Sequence, residues 1–172
     1  MRRWACAALL CGALCGCGRC EEAPAPAEEE AAVSEPYQEI AGAGWSASVP
    51  ARWERREEGV YVGPDRANVV VSVRDVEIPL ELLLEDARAD LAKANAGYVL
   101  LGQHEAGLNG LRALELHGQY ERNGHAVTHH TVAVEGGRKK YVMTLSVVSA
   151  LYPANQARFA RIIQSFRGEF VR

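Results

Sequence analysis

His117 and His130 stand at distances from the Asn123-Gly124 dipeptide that let two imidazoles meet. Asn-Gly is a strong signal for a two-residue hairpin turn. With that turn, Arg122 opposes His125, and counting back along both strands sets His117 directly opposite His130. Directly opposed side chains have Cβ atoms about 4.5–5.5 Å apart. Glu115 falls on the same face two residues along, so the set is two imidazoles and a carboxylate. Such a set can ligate a transition metal or exchange protons. A plainer use competes with it. A second two-residue turn at Gly136-Gly137 would bring Val132, Tyr141, Met143 and Leu145 to the same face, which is the composition of a packed core. A one-residue slip in register would dissolve the pair altogether. Metal sites need three or more converging ligands and supporting contacts around them. The expectation is therefore a structural or surface role for Glu115, His117 and His130, with no metal and no cofactor favoured. His129 falls on the opposite face near Thr144, and His125 sits at the turn; neither has an evident partner.

Other chemistry is poorly represented. The chain has no G-x-S-x-G nucleophile elbow, no H-E-x-x-H helix and no glycine-rich phosphate loop. All five cysteines (Cys6, Cys11, Cys15, Cys17 and Cys20) lie in the first twenty residues, so residues 37–172 contain neither a thiol nucleophile nor a disulfide. Glu57-Glu58 and Glu85-Asp86 read as solvated charges, and Trp53 and Tyr61 as aromatics anchoring strand ends in the core. These absences argue against an enzyme.

The elements that must hold these side chains follow from hydrophobic periodicity, which switches between two and about 3.6 from Trp45 onward. Trp45 to Val49 alternates and stops at Pro50, Val60-Tyr61-Val62 precedes a Gly63-Pro64-Asp65 turn, and Ala67 to Val73 is a valine-rich strand suited to a sheet interior. Pro79 opens a helix at a position where its missing N–H costs nothing. Leu80, Leu84, Ala87, Leu91 and Ala94 form one apolar face, and Gly97 is placed to end the helix. Val99 to Gln103 reads as a strand and Gly107 to Gly110 as a turn. Then come Leu111 to Glu121, His125 to Val134 and Arg138 to Val148, three antiparallel strands. Phe159, Ile162, Ile163 and Phe166 mark a closing amphipathic helix after Pro153. Runs of strands separated by two helices indicate an α+β fold with an antiparallel sheet.

Charge divides the chain. Residues 21–36 carry six glutamates and no base, whereas residues 37–172 carry sixteen basic and sixteen acidic residues. A neutral domain without a concentrated basic face is not a nucleic-acid binder; Arg138-Lys139-Lys140 reads as a solvated hairpin end. The acidic, Pro/Ala-rich stretch is an extended tether. Ahead of it, Arg2 and Arg3 precede an uncharged apolar run over residues 4–14, the layout of a cleaved secretory signal and too short to span a bilayer. The expected division is a signal at 1–16, an anchor and tether at 17–36, and one α+β domain at 37–172.

Two resemblances sharpen this. Leu14-Cys15-Gly16-Cys17 resembles the lipobox of bacterial lipoproteins, which implies that Cys17 is acylated and becomes the mature N-terminus. It implies attachment to the membrane of a bacterial envelope. Gly18 stands where an Asp would signal inner-membrane retention, which favours the outer membrane facing the periplasm. Cys20 reads as an idle surface residue. The second resemblance rests on Gly44-Trp45, Val49-Pro50, Trp53, the Pro79 helix, the Asn109-Gly110 turn and Ile163-Gln164-Ser165-Phe166. Over about Trp45 to Phe166 this pattern is similar to the PsbP-like fold, and within it to DcrB-type envelope lipoproteins. That resemblance implies an αβα sandwich: a central antiparallel sheet of about six to seven strands with a main helix on each face, and binding or assembly roles without a shared enzymatic activity. The leading expectation is a non-enzymatic envelope adaptor with a protein partner. Behind it stand a module for a small ligand, a lipid or metal, held between sheet and helix, and last a hydrolase using the His117/His130/Glu115 face.

Overall fold

The computed structural model describes residues 35–74, 77–136 and 139–168. Cys17, Cys20, the signal-like segment and most of the tether lie outside the described residues, as does Gly137. No helix among the described residues is long and apolar enough to cross a membrane.

Among the described residues, ten strands and two α-helices form in the order β1 (Tyr37–Gly42), β2 (Trp45–Pro50), β3 (Glu54–Glu57), β4 (Val60–Val62), β5 (Asn68–Arg74), α1 (Leu80–Ala94), β6 (Ala96–Leu108), β7 (Leu111–Arg122), β8 (His125–Gly136), β9 (Lys139–Val148), α2 (Tyr152–Ser165) and β10 (Arg167–Gly168). The main sheet is antiparallel, in the order β3-β4-β5-β9-β8-β7-β6; β1, β2 and β10 make a smaller one. The chain leaves β5, crosses over α1 to the far edge, and returns through three hairpins until β9 meets β5. Asn109-Gly110 and Asn123-Gly124 both adopt positive φ, +53° and +81°, then +53° and +75°. This is the backbone that a two-residue turn between twisted strands demands.

Strand alternation sorts the core into two layers. One face sends Val69, Val71, Ala113, Val132, Val134, Tyr141, Met143, Leu145 and Val147 against Phe159, Ile162 and Ile163 of α2 and Trp45, Ala47 and Val49 of the small sheet. The other sends Leu114, Leu116, Ala133 and Val142 against Leu80, Leu83 and Leu84 of α1. Each large side chain so buried contributes about 1.5–3 kcal/mol. The result is the α+β sandwich with a helix on each face of a seven-stranded antiparallel sheet.

Several local expectations shift. β1 and β3 were not foreseen, because Gln38, Glu39 and the run Glu54–Glu57 are exposed and carry no alternating apolar signal. α1 buries its first turns only: Leu91 is half-buried and Ala94 exposed. Gly97 does not end the helix; Asn95 takes an extended conformation at its end, and Gly97, at φ +62°, lies within β6 where the pairing with β7 is irregular. Gly107 is a strand residue, so β6 runs five residues beyond the expected Gln103. A turn at Gly136-Gly137 would set Glu135 opposite position 138; instead Glu135 pairs with Lys140 and Gly136 with Lys139, which moves the β8/β9 register by two residues and preserves the face of every side chain. Helix α2 stops at Ser165, whose hydroxyl accepts the Ser48 N–H at 2.8 Å. Phe166 is extended instead of helical, and its buried ring stacks on Trp45 at 6.4 Å and meets Tyr141 edge-on at 5.3 Å. Glu35, counted with the tether, is docked: its carboxylate pairs with Arg52 at 2.7 Å and Arg158 at 3.2 Å.

Candidate functional site

The hairpin register sets His117 directly opposite His130, and the two rings lie 3.8 Å apart between centroids. On the α2 face of β7, the apolar series ends at Ala113 and continues as Glu115, His117 and Gln119; on β8 it passes from Val134 and Val132 to His130 and Thr128. The polar groups therefore begin where the core ends. The Glu115 carboxylate is central. Its Oε2 accepts from His130 Nε2 at 2.9 Å and lies 3.2 Å from His104 Nε2. The Tyr152 hydroxyl, at the start of α2, lies 3.5 Å from His117 Nδ1.

His104 went unnoticed in the sequence, although the signal was there. Extending β6 back from an Asn109-Gly110 turn pairs Leu108 with Leu111 and His104 with Glu115, as observed. Ending the strand at Gln103 hid it. His104 stacks over His117 with centroids 5.9 Å apart, so three imidazoles surround one carboxylate.

Burial dominates the electrostatics. The His117 imidazole titrates below its ordinary range because burial disfavours the cation; Glu115 opposes that shift and His104 adds to it. His130 is depressed by burial first and by His117 second, against the pull of Glu115. Both rings are neutral at pH 7, so the His130 to Glu115 contact is an N–H donated to a carboxylate and not an ion pair. Neutral imidazoles are metal ligands and weak bases. Burial also raises the Tyr152 phenol above its ordinary value.

His129 lies on the other face, as expected, but its neighbours differ. It opposes Gly118 and Ser146 instead of Thr144, and its Nδ1 meets the Thr131 hydroxyl at 3.1 Å, which in turn meets Thr144 at 3.1 Å. A hydroxyl beside an imidazole suggests a nucleophile and base, yet both residues are fully buried and no substrate can reach them. Trp53 and Tyr61 are core residues. His125 remains exposed at its turn.

A cleft of about 680 Å³ opens where the second half of α1 stands over β5 and β9, lined by Ser72, Arg74, Leu83, Ala87, Asp90 and Thr144. Its size lies within the range of small-molecule sites, about 300–1,000 Å³.

The profile of the DcrB family matches residues 46–165. The chain belongs to the DcrB family. The match spans both helices and the strands that carry the histidines. None of the curated proteins matches the chain. Among solved structures, this DcrB domain is similar to PsbP (CyanoP) of Synechocystis sp. PCC 6803, with 14% identity and a TM-score of 0.59 over 77% of this chain and 92% of that one. It is similar to PA94 of Pseudomonas aeruginosa, with 19% identity and a TM-score of 0.55 over 76% and 94%. It is also similar to LpqN of Mycobacterium tuberculosis, which is involved in cell envelope biogenesis, with 20% identity and a TM-score of 0.53 over 77% and 90%. At these identities the shared property is the PsbP-like fold.

Proposed function

We propose that this DcrB-family chain is a non-enzymatic lipoprotein of the bacterial envelope, anchored through an acylated Cys17, whose domain binds another envelope protein along the β6 edge. The observation that carries the reading is the exposed apolar run Val99-Leu100-Leu101, with each residue between 42% and 56% exposed on the outermost strand of the main sheet. Edge strands are usually protected by charge, proline or a covering element. Here register irregularities between Ala96 and Val99 and between Leu100 and Gly102 discourage simple strand addition. The edge instead offers three apolar side chains to a protein surface, beside the polar Gln103 and the half-exposed His104. The envelope role of the structurally similar LpqN supports the same compartment. The acidic tether would hold the domain away from the bilayer, and the outer membrane facing the periplasm is the favoured site.

In-cell photocrosslinking from position 101 tests this. A defined envelope protein should be captured, and Leu100→Lys should reduce capture while leaving the thermal transition in place. A second reading, a small apolar ligand, is favoured by the cleft between α1 and β5/β9. Failure to capture any protein, with a bound small molecule found by native mass spectrometry, would replace the first reading by the second.

A further inference from the structure

We propose that His104, Glu115, His117 and His130 form a binding site for a divalent first-row transition ion, of which Zn²⁺ is the representative. The site needs no second protein, because Glu115, His117 and His130 come from β7 and β8 inside the sheet and only His104 borders the partner edge.

Convergence is the first argument. One ligand atom each from Glu115, His117 and His130 can be chosen so that all lie within 4.8 Å of one another. A tetrahedral Zn²⁺ with ligands at about 2.0–2.2 Å needs them roughly 3.3–3.5 Å apart. Side-chain rotations of an ångström or so close that gap. His104 lies outside that trio, but its Nε2 is 3.2 Å from Glu115 Oε2, so rotation of its exposed side chain can supply a fourth ligand. Three imidazoles and one carboxylate select zinc, copper or nickel over calcium or magnesium, which take oxygen ligands.

Preorganisation is the second. The four residues sit on β6, β7 and β8, paired in fixed register: His104 opposite Glu115, and His117 opposite His130. Little backbone entropy remains to be lost on binding. The Tyr152 hydroxyl near His117 Nδ1 can orient that ring and leave Nε2 as its ligand atom. Metal-binding histidines usually carry such a partner on the second nitrogen.

Access is the third. His130 and Glu115 side chains are 12% and 19% exposed, whereas His104 is 56% exposed and forms the outer wall. Gly102 lies opposite His117, and a Cβ there would meet no atom within 4 Å. An ion therefore has a route from solvent. If the cluster only filled space, apolar residues like the neighbouring Val132 and Leu145 would serve without burying imidazoles.

The test is Zn²⁺ titration of the purified full chain by calorimetry, with Co²⁺ absorption as a second probe, because the N-terminal cysteines can bind zinc themselves. The expected result is one ion bound per chain, with a Co²⁺ spectrum of nitrogen and oxygen ligation lacking thiolate charge transfer. Cys20→Ser should leave that site unchanged. His104→Ala removes only the exposed wall and should fold normally, as the thermal transition will report, yet weaken binding roughly 10–100-fold. Glu115→Gln should weaken it at least as much. Binding that survives both His104→Ala and Glu115→Gln, binding lost on Cys20→Ser, or no binding to the folded chain would each overturn the proposal.

Discussion

Gly118 lies directly opposite His129, and the imidazole occupies the space that a side chain at 118 would need: a Cβ built there falls 2.4 Å from His129 Nε2 and 3.0 Å from the Tyr98 hydroxyl. The glycine is required by packing, not by a turn. Neither His129 Nε2 nor the Tyr98 hydroxyl has a hydrogen-bond partner among the described residues, and both polar atoms are held over Gly118 between β6, β7 and β8.

Gly118→Ala should consequently destabilise the domain by about 1–3 kcal/mol, the usual cost of overpacking. The Val99 carbonyl, also 3.0 Å from the added methyl, cannot move without disturbing the β6 pairing. Gly102→Ala, with open space around it, should change stability by no more than about 0.5 kcal/mol. Urea denaturation of the two variants checks the contrast; equal effects would contradict the packing account.

Acid should weaken the fold before carboxylates protonate. Burial pushes the His129 imidazole down to about 4, with His117 and His130 adding to the shift. Between the ordinary value of 6.5 and about 4 the unfolded chain binds a proton that the folded chain refuses, so stability is full above pH 6.5 and falls as pH drops to 4. His129 alone accounts for on the order of 3 kcal/mol over that window. His117 and His130 act in the same direction. In His129→Phe the slope of stability against pH between 6.5 and 4 should become shallower, read from thermal unfolding in a pH series.

Tyr141 ties the two sheets together. Its ring is fully buried and its hydroxyl donates to the Gly44 carbonyl at 2.6 Å, across the gap between β9 and the β1-β2 turn. Tyr141→Phe keeps the packing and leaves that carbonyl without this donor, at a cost of about 1–3 kcal/mol. Amide hydrogen exchange should show the loss concentrated in β1 and β2.

Cys17→Ala should abolish fatty-acid labelling and release the protein from membranes, while Cys20→Ala should leave attachment intact. Metabolic labelling followed by fractionation decides it. Full labelling of Cys17→Ala would move the anchor elsewhere.

Where local chemistry has a single solution, the sequence was sufficient. Asn109-Gly110 and Asn123-Gly124 admit few backbones other than a tight hairpin turn, and once Asn123-Gly124 is a turn the opposition of His117 and His130 is arithmetic. The valine-rich run of β5 and the helical spacing of Leu80 and Leu84 in α1 announced a strand and a helix, and with the other elements the α+β class. Tertiary structure decided what period cannot express. β1 and β3 are strands because a partner lies beside them, not because their exposed, charged residues prefer to be. Phe166 leaves the helix because Ser165 is engaged by β2 and a place between Trp45 and Tyr141 is open to its ring. The fourth member of the histidine cluster, His104, depended on how far β6 continues past Gln103, and that length is set by hydrogen bonding to β7 through residues too polar to announce a strand. The depressed titration of His117 and His130 comes from their burial in the assembled sheet, a property that no stretch of the chain carries by itself.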